Sequence, residues 1–278
     1  MSSRPSIIIP TFNRANLVHR AIESALAQTI PCEVILVDHG STDATPQVAA
    51  AFGERIRYIR REVDSGPIAC WRDGVDAATG DFIHFTFDDD WIEPDFMSAC
   101  IGAFTPDVAF VYTQAALRTP DLKTIGKVAK HPPGRHPVAR VVKHLLLTRL
   151  TLSPGCAVFR RLDADKYLLP SVPGADGRYG ANSGVGEDLL LFLLPTLDYS
   201  EYVHIPRPLA SFMAHPGSIT MDAMASGRHE QLVEAYAKAR RHYLSLPGAV
   251  QAPAGASALL FKATWALGAA IAIGEARK

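Results

Sequence analysis

This chain has few cysteines, a formal net charge of zero and few long apolar runs, and each of these features argues against a class of protein. The 278 residues include four cysteines, none in a C-x-x-C pair, which argues against a disulfide framework and a zinc site. Reduced thiols are typical of a cytoplasmic protein. Lys+Arg and Asp+Glu both number 28, so the basic surface that nucleic-acid binding requires is missing and no nucleic-acid partner is expected.

Targeting signals are also scarce. The residues around Ser6 form too short an apolar stretch for a secretory signal peptide. Residues 256–274 are largely apolar but contain Lys262, which makes them a marginal transmembrane segment. An amphipathic helix that packs on the domain, or that rests peripherally on a membrane, is the favoured interpretation. The expected location is therefore the cytoplasm, with the inner face of the membrane as an alternative.

The first hundred residues alternate between β-branched apolar runs and segments with helical spacing. Strands are predicted at 7–9, 33–38, 56–59 and 81–87. Helices are predicted at 17–26, 44–52 and 67–78. Asn13 or Asn16 is the predicted cap of the first helix. This alternation predicts an α/β fold with a mostly parallel central sheet flanked by helices.

Beyond residue 104 the alternation loosens. Strands are predicted at 108–112 and 155–159, and helices at 138–150, 187–197 and 223–244. Two segments rich in loop-forming residues, 123–137 and 171–186, are predicted to be loops. Because mobile loops on a rigid sheet commonly carry specificity, both are interpreted as acceptor-binding or lid loops.

Three adjacent carboxylates, Asp88, Asp89 and Asp90, follow the predicted fourth strand directly. Such neighbours repel one another, and a divalent cation bridging diphosphate oxygens would offset that repulsion. Strand alternation predicts that Asp88 and Asp90 point one way and Asp89 the other. The alternative interpretation is a solvated acidic stretch ahead of a helix near Pro94.

Other polar residues allow both a functional and a structural interpretation. Asp38 ends the second strand, where it could meet a ribose or base, or could merely form a turn. Glu187 and Asp188 open a helix, where a carboxylate serves either the helix dipole or general-base catalysis. His215 lies in a turn and is either structural or a ligand of metal or diphosphate.

Taken in order, these pieces resemble family 2 glycosyltransferases with the GT-A fold. The resemblance extends from residue 6 to about residue 220. Each matching piece is weak alone, whereas the ordered set is specific. The matching segments are 6–14, 34–43, 66–67, 71–74, 78–81, 87–94, 153–161 and 186–189.

The resemblance implies an inverting transfer of a sugar from a UDP, dTDP or GDP donor to a glycan or lipid-linked acceptor, in polysaccharide or glycan biosynthesis. It implies that Asp88 and Asp90 form a D-x-D that holds Mn²⁺ or Mg²⁺, with Asp90 the stronger ligand and His215 assisting. It implies Asp188 as the general base, with Glu187 as the fallback. The implied donor-binding residues are Pro10, Thr11, Asn13, Arg14, Asp38, Gly66, Arg72, Asp88 and Asp89.

The resemblance also divides the chain and exposes two departures. Residues 1–110 would bind the nucleotide sugar, 111–222 would form the acceptor-binding and catalytic half, and 223–278 would be a helical extension. The family often has a second acid where this chain has His39, which leaves the nucleotide open. Many members have an aspartate where this chain has Phe87, which is expected to extend the buried strand.

Three other functions compete with transfer. A sugar-nucleotide nucleotidyltransferase would normally carry a glycine-rich phosphate loop after the first strand, and residues 10–14 contain no glycine. A non-catalytic sugar-nucleotide or glycan-binding module would bind donor without turnover and would tolerate Asp188→Asn. A hydrolase would need a Ser-His-Asp set or a metal-hydrolase cluster, and the sequence shows neither.

Overall fold

A computed structural model describes residues 4–148, 150–174, 183–215 and 229–250 of the chain. Its ten described strands form one mixed sheet in the order β3-β2-β1-β4-β9-β6-β10-β5, with β7 beside β6 and β8 beside β10. The strands are β1 (Ser6–Thr11), β2 (Glu33–Asp38), β3 (Arg57–Arg60), β4 (Phe82–Phe85), β5 (Trp91–Ile92), β6 (Val108–Arg118), β7 (Thr124–Val128), β8 (Gly134–Pro137), β9 (Ala157–Arg160) and β10 (Glu201–Met213).

Helices connect these strands and pack against the sheet. The described α-helices are α1 (Val18–Leu26), α2 (Thr45–Phe52), α3 (Pro67–Ala77), α4 (Phe96–Ile101), α5 (Val138–Leu146), α6 (Arg161–Tyr167), α7 (Glu187–Leu193) and α8 (His229–Leu244). Short 3₁₀ turns occupy Gly53–Arg55, Pro154–Cys156 and Leu194–Leu197. The α/β fold predicted from the sequence is confirmed.

The first half of the sheet has the predicted parallel arrangement. Strand β1 pairs in parallel with β2 and β4, and β2 pairs in parallel with β3. Strand β9 is antiparallel to both β4 and β6, while β10 is parallel to β6. It follows that β1, β2, β4, β6 and β10 all point the same way, so their carboxyl ends meet at one edge of the sheet.

The predicted cap of the first helix is wrong. Helix α1 begins after Leu17 without a side-chain cap, and its stability comes from a stripe of buried residues that includes Val18 and Ile22. The Asn13 side chain instead bonds the loop after β2. That loop carries Asp43, whose Oδ1 accepts from the Thr45 backbone N–H at 2.9 Å where α2 starts.

The predicted loop at 123–137 is also wrong, because the segment contains β7 and β8. Strand β8 pairs with the start of β10, far along that strand from its carboxyl end. The sequence did not predict β10 itself. Its register with β6 shifts between Ile205 and Pro208, so prolines and bulges interrupt the alternation that marks a strand.

Several predicted elements run past the observed ones. The fourth strand ends at Phe85, before the acidic cluster, and α5 ends at Leu146. Residues 175–182, 223–228 and 256–274 lie outside the described ranges, so the predictions made for them stay predictions. Among the described helices, none has the length and apolarity needed to cross a bilayer.

Candidate active site

The carboxyl edge of the sheet brings four stretches together. They are the residues after β1, the loop after β2, the acidic turn after β4 and the end of β10. Ligands of open α/β sheets bind beyond this edge. The predicted donor-side residues Pro10 and Thr11 are the last two residues of β1 and are buried.

Asn13 joins the loop after β1 to the loop after β2. Its φ of 53° is left-handed, a conformation that asparagine tolerates. Its Oδ1 accepts hydrogen bonds from the backbone N–H groups of Thr42 at 2.8 Å and Asp43 at 3.3 Å. Its own N–H donates to Ser41 Oγ at 2.9 Å. Asn13 therefore fixes the shape of the donor-side rim, and its side-chain oxygen is occupied by this task.

Asp38 is fully buried beneath the same rim. Its Oδ1 accepts from the backbone N–H groups of Gly40 at 3.0 Å and Ser41 at 2.8 Å. Its Oδ2 accepts from the Tyr58 hydroxyl at 2.6 Å. Both oxygens thus organise the loop, and the donor contact expected of Asp38 would have to use remaining acceptor capacity.

His39 replaces the expected second acid with an imidazole that has its own carboxylate partner. Its Nδ1 lies 3.1 Å from Asp64 Oδ1, which also accepts from the Gly66 N–H at 2.8 Å. Burial lowers the pKa of His39, although the hydrogen bond with Asp64 opposes this shift. Gly66 has a φ of 86° and precedes α3. The histidine therefore connects the end of β2 to the start of α3.

The acidic triplet lies in a turn rather than a strand. The Asp90 N–H donates to the Phe87 carbonyl at 3.0 Å, so the expected alternation of the three carboxylates is wrong. Asp88 faces the end of β1, where its Oδ2 accepts from the Phe12 N–H at 3.3 Å and its Oδ1 lies 3.8 Å from Arg14 Nε.

The other two carboxylates face the end of β10. Asp89 Oδ2 lies 2.9 Å from Nε2 of His215, and Asp90 Oδ1 accepts from the Met213 N–H at 2.9 Å. His215 therefore contacts Asp89, which the sequence assigned to the donor. The structure does join the triplet to His215, 126 residues away along the chain.

This cluster has little positive charge to balance it. Burial raises the pKa of Asp88 to about 7, with repulsion from Asp89 adding to the rise and Arg14 opposing it. Burial and the same neighbour raise the pKa of Asp90 well above its usual value. A cation bound at the triplet would favour the ionised forms of both groups.

The donor set fits a hard divalent cation. Carboxylate oxygens are preferred ligands of Mg²⁺ and Mn²⁺. Within the described part of the chain, no three His, Cys, Asp or Glu side chains converge into a complete metal cage. That pattern suits a metal held by one or two carboxylates and completed by substrate phosphates, the usual arrangement for Mg²⁺.

Aromatic packing links the acidic turn to the second acidic pair. Phe87 leaves the strand and its ring packs 5.4 Å from that of Trp71 on α3, so the expectation that it extends the strand is wrong. A Cβ added at Gly184 would lie 3.7 Å from the Trp71 ring. The segment that leads into Glu187 and Asp188 therefore rests against the residues that support the triplet.

Asp188 is a partly exposed carboxylate with three hydrogen-bond donors. Its Oδ1 accepts from the N–H groups of Gly186 at 2.8 Å and Leu189 at 2.7 Å. Its Oδ2 accepts from the Tyr236 hydroxyl at 2.8 Å. Burial raises its pKa to about 6, and these donors oppose the rise. The group is therefore mostly ionised at neutral pH, as a general base must be.

Glu187 lies in the opposite environment. It is fully buried, and neither oxygen has a hydrogen-bond partner among the residues that the structure describes. Burial raises its pKa to about 8, and the neighbouring Asp188 adds to the rise. The carboxyl is thus mostly protonated at neutral pH, which favours Asp188 over Glu187 as a base.

Arg72 is engaged away from the donor-side rim. Its guanidinium bonds both the backbone carbonyl and the side chain of Asp165 on α6, at 2.7 and 2.9 Å. The sequence analysis missed Tyr58, Asp64 and Tyr236, which hold Asp38, His39 and Asp188. No local pattern marks these partners, because each lies 20 or more residues from the group that it holds.

Comparison with known families and proteins identifies the family and the fold. A model described as glycosyl transferase family 2 matches residues 6–168. The succinoglycan biosynthesis protein ExoO of Rhizobium meliloti is 39% identical over 92 residues, which are 32% of this chain and 26% of that protein. Chondroitin synthase of Pasteurella multocida is 36% identical over 121 residues, 42% of this chain and 12% of that protein. The chain thus covers far less than two thirds of either relative.

Solved structures extend the likeness beyond the matched segment. Residues 1–349 of Staphylococcus aureus TarS in complex with UDP have a TM-score of 0.63 at 17% identity, covering 88% of this chain and 66% of that one. The mannosyltransferase PcManGT of Pyrobaculum calidifontis, in complex with GDP-Man and Mn²⁺, has a TM-score of 0.57 at 19% identity, covering 98% and 81%. At such identities the likeness establishes the fold, which is the predicted GT-A type.

Proposed function

The chain belongs to glycosyl transferase family 2, and on that premise we propose that it is an inverting, metal-dependent glycosyltransferase. It would move a sugar from a nucleoside-diphosphate donor to an acceptor hydroxyl. The observation that carries the proposal is the pairing of an acidic turn at the sheet edge with a separate carboxylate at the start of α7 that accepts three hydrogen bonds.

The donor would lie over the ends of β1 and β2. Support comes from the rim that Asn13 fixes and from Arg14, which faces Asp88. Residues 1–110 would bind the nucleotide sugar, 111–222 would carry the acceptor and the base, and 223–278 would form a helical extension. Solved relatives hold UDP, and GDP-Man with Mn²⁺, so both nucleotides are donors to test, together with dTDP.

The acidic turn would hold a divalent cation, Mn²⁺ or Mg²⁺. Asp90 and Asp88 are the proposed ligands, and His215 would act at the same place through Asp89, with which it is paired. When bound, the cation would supply positive charge to the departing diphosphate. Without it, burial and mutual repulsion favour protonation of these carboxyls, as their raised pKa values indicate.

Asp188 would act on the acceptor. Its carboxylate would remove the proton from the acceptor hydroxyl while that oxygen attacks the anomeric carbon. The bond from that carbon to the diphosphate oxygen breaks, and the nucleoside diphosphate leaves with the bonding electrons. A single displacement of this kind inverts the anomeric configuration. The acceptor would be a glycan or a lipid-linked sugar, because relatives carry the names of polysaccharide-forming proteins.

Thermal unfolding with UDP, dTDP and GDP, each with and without Mn²⁺, tests the proposal. One nucleotide should raise the melting temperature only when Mn²⁺ is present, because a ligand that binds the native state alone stabilises it. The gain is about 2.7 kcal/mol at one hundred times the dissociation constant. The matching sugar nucleotide should then release nucleoside diphosphate in a Mn²⁺-dependent reaction. No shift for any nucleotide at millimolar concentration would contradict the proposal.

A further inference from the structure

We propose that Tyr236 is a positioning residue for the reaction, holding the Asp188 carboxylate in the orientation in which it accepts the acceptor proton. The inference rests on the proposed function of Asp188. It adds a residue of α8, which begins 60 residues beyond the segment matched by the family model.

The carboxylate of Asp188 is fixed at both oxygens. Backbone N–H groups of Gly186 and Leu189 hold Oδ1, and the Tyr236 hydroxyl holds Oδ2 at 2.8 Å. An ionised carboxylate has about four lone-pair sites, so Oδ2 keeps acceptor capacity beside the tyrosine bond. Because the two backbone donors already occupy Oδ1, the geometry points to Oδ2 as the oxygen that takes the proton.

Close packing of α8 on the start of α7 puts Tyr236 in this place. Gly186 has a φ of 96°, and a Cβ there would lie 2.8 Å from Val172 Cγ2 and 3.1 Å from the Ala235 carbonyl. Only glycine fits both the conformation and the contact. Since Ala235 immediately precedes Tyr236, this contact places the tyrosine beside the carboxylate.

A buried arginine one turn further along α8 fastens the helix. The Nε of Arg240 donates to the Leu145 carbonyl at the end of α5, at 3.0 Å. Its guanidinium lies 5.9 Å from the centre of the Tyr236 ring, within the range of a cation–π contact. The guanidinium thus supports the tyrosine ring while the tyrosine hydroxyl bonds Asp188.

The charged groups around Asp188 and the hydroxyl of Tyr236 together set the pKa of the Asp188 carboxyl. The groups that face it are Glu187, Tyr236 and Arg240. Burial raises the pKa of Asp188 to about 6, whereas Tyr236 and Arg240 both lower it. The pKa of Tyr236 lies well above its ordinary value because of burial and of Asp188 itself. The hydroxyl therefore stays a donor through the range in which Asp188 titrates.

Direct titration of the Asp188 carboxyl tests the inference without any substrate. The full chain is labelled with ¹³C at the aspartate carboxyls, and the Asp188→Asn variant identifies the resonance. Tyr236→Phe keeps the ring and removes the donor. It should raise the titration midpoint of Asp188 by about one pH unit, the size expected for one hydrogen bond to a charged group.

Tyr243→Phe is the matched control. It makes the same change in the same helix, at a buried tyrosine whose hydroxyl bonds Thr196 Oγ1 at 3.1 Å. It should leave the Asp188 midpoint in place. An unmoved midpoint in Tyr236→Phe, or equal shifts in the two variants, would overturn the inference.

Turnover gives a second readout. With the sugar nucleotide identified by thermal unfolding, the acidic limb of kcat in Tyr236→Phe should move to higher pH by about the same unit, with KM for the donor within about twofold. A loss of kcat by the same factor at every pH would show a merely structural role and overturn the inference. Failure of wild-type donor binding would instead count against the proposed function, because the carboxyl titration does not depend on it.

Discussion

Burial raises the pKa of Asp88 and Asp90 after β4 and also that of Asp188, yet the protein compensates the two places differently. Asp188 already has three hydrogen-bond donors, two from its own helix start and one from Tyr236. Asp88 and Asp90 have one backbone donor each in the structure, with Asp89 between them. The fold itself supplies the donors that stabilise the ionised Asp188. The carboxylates of the triplet would instead need a bound cation to stabilise their ionised forms.

This difference matches the chemistry proposed for the two places. A base must be ionised before its substrate arrives, so donors built into the protein are an advantage. A metal site that is completed by donor phosphates can stay undercompensated until binding, when cation and substrate enter together. The comparison fails if Asp188 proves dispensable or if the triplet binds no cation.

The largest expected effect is on the Asp188 carboxylate. Asp188→Asn should lower kcat of transfer by about 10²–10⁴-fold, the usual contribution of a general base. The amide keeps the shape of the side chain and an oxygen for the backbone donors, so Mn²⁺-dependent donor binding should persist. Initial-rate kinetics and thermal unfolding with donor measure the two effects separately.

Asp121→Asn serves as the control for that variant. Asp121 lies between β6 and β7, where its carboxylate pairs with Lys123 at 2.8 Å. This variant should behave as wild type in both measurements. A transfer rate of Asp188→Asn within a few-fold of wild type would show that Asp188 is not the base, and Glu187 would be the next residue to test.

The second effect concerns the triplet. Asp90→Asn replaces a buried carboxyl, whose pKa burial and Asp89 raise, by a neutral amide and keeps an oxygen for the Met213 N–H. The melting temperature without ligand should stay the same or rise, because the amide never bears the buried charge that the carboxyl gains on ionisation. The further rise caused by nucleoside diphosphate with Mn²⁺ should be lost, a change of about 2.7 kcal/mol at one hundred times the dissociation constant.

Asp95→Asn is the matched control for Asp90→Asn, since Asp95 lies five residues on and pairs with Arg207 at 2.6 Å outside the triplet. The full Mn²⁺-dependent shift should remain in this control. If Asp90→Asn also keeps the full Mn²⁺-dependent rise in melting temperature, Asp90 is not a metal ligand and Asp88 becomes the ligand to test.

The sequence predicted the strand ends at the sheet edge better than the distant side chains that contact them, because the two are assembled differently. The ends of β1, β2 and β4 meet wherever parallel strands are neighbours, so alternation alone brings Asp38 and Asp88 to one edge. His215 reaches that edge just after β10 (Glu201–Met213), a strand that Pro206 and Pro208 hide from the alternation pattern. The spacing of residues along the sequence does not predict which distant side chain will contact a given carboxylate.

The acidic pair shows the same limit in another form. By position alone, a carboxylate at this helix start could serve the helix dipole or act as the base, and only the resemblance ranked Asp188 first with Glu187 as the fallback. In the structure the helix start points the two side chains into different surroundings. Asp188 accepts three hydrogen bonds. Neither oxygen of Glu187 makes a hydrogen bond of ordinary geometry with the described residues, although the nearby Val172 N–H and Ser183 hydroxyl oppose the rise of its pKa. Which of two neighbours is ionised therefore depends on burial and on Tyr236, 48 residues away from Asp188, and these become known only with the fold.

The smallest expected effect separates these two neighbours. Burial raises the pKa of Glu187 in the folded protein to about 8, above the ordinary 4.5 of a glutamate. The folded state therefore holds a proton that the unfolded chain releases, and wild type loses stability as pH rises from about 4.5 through 8. Glu187→Gln has no such proton, so its advantage over wild type in the free energy of urea unfolding should grow by roughly 2–3 kcal/mol between pH 6 and pH 9, because each pH unit up to the folded pKa costs wild type about 1.4 kcal/mol for that proton. Transfer near neutral pH should stay close to wild type, because the native carboxyl is already protonated there.

Glu54→Gln, on an exposed 3₁₀ turn, is the control and should show no growing advantage. A constant stability difference across this range, or loss of transfer, would mean that Glu187 is ionised in the native protein and shares the task of Asp188.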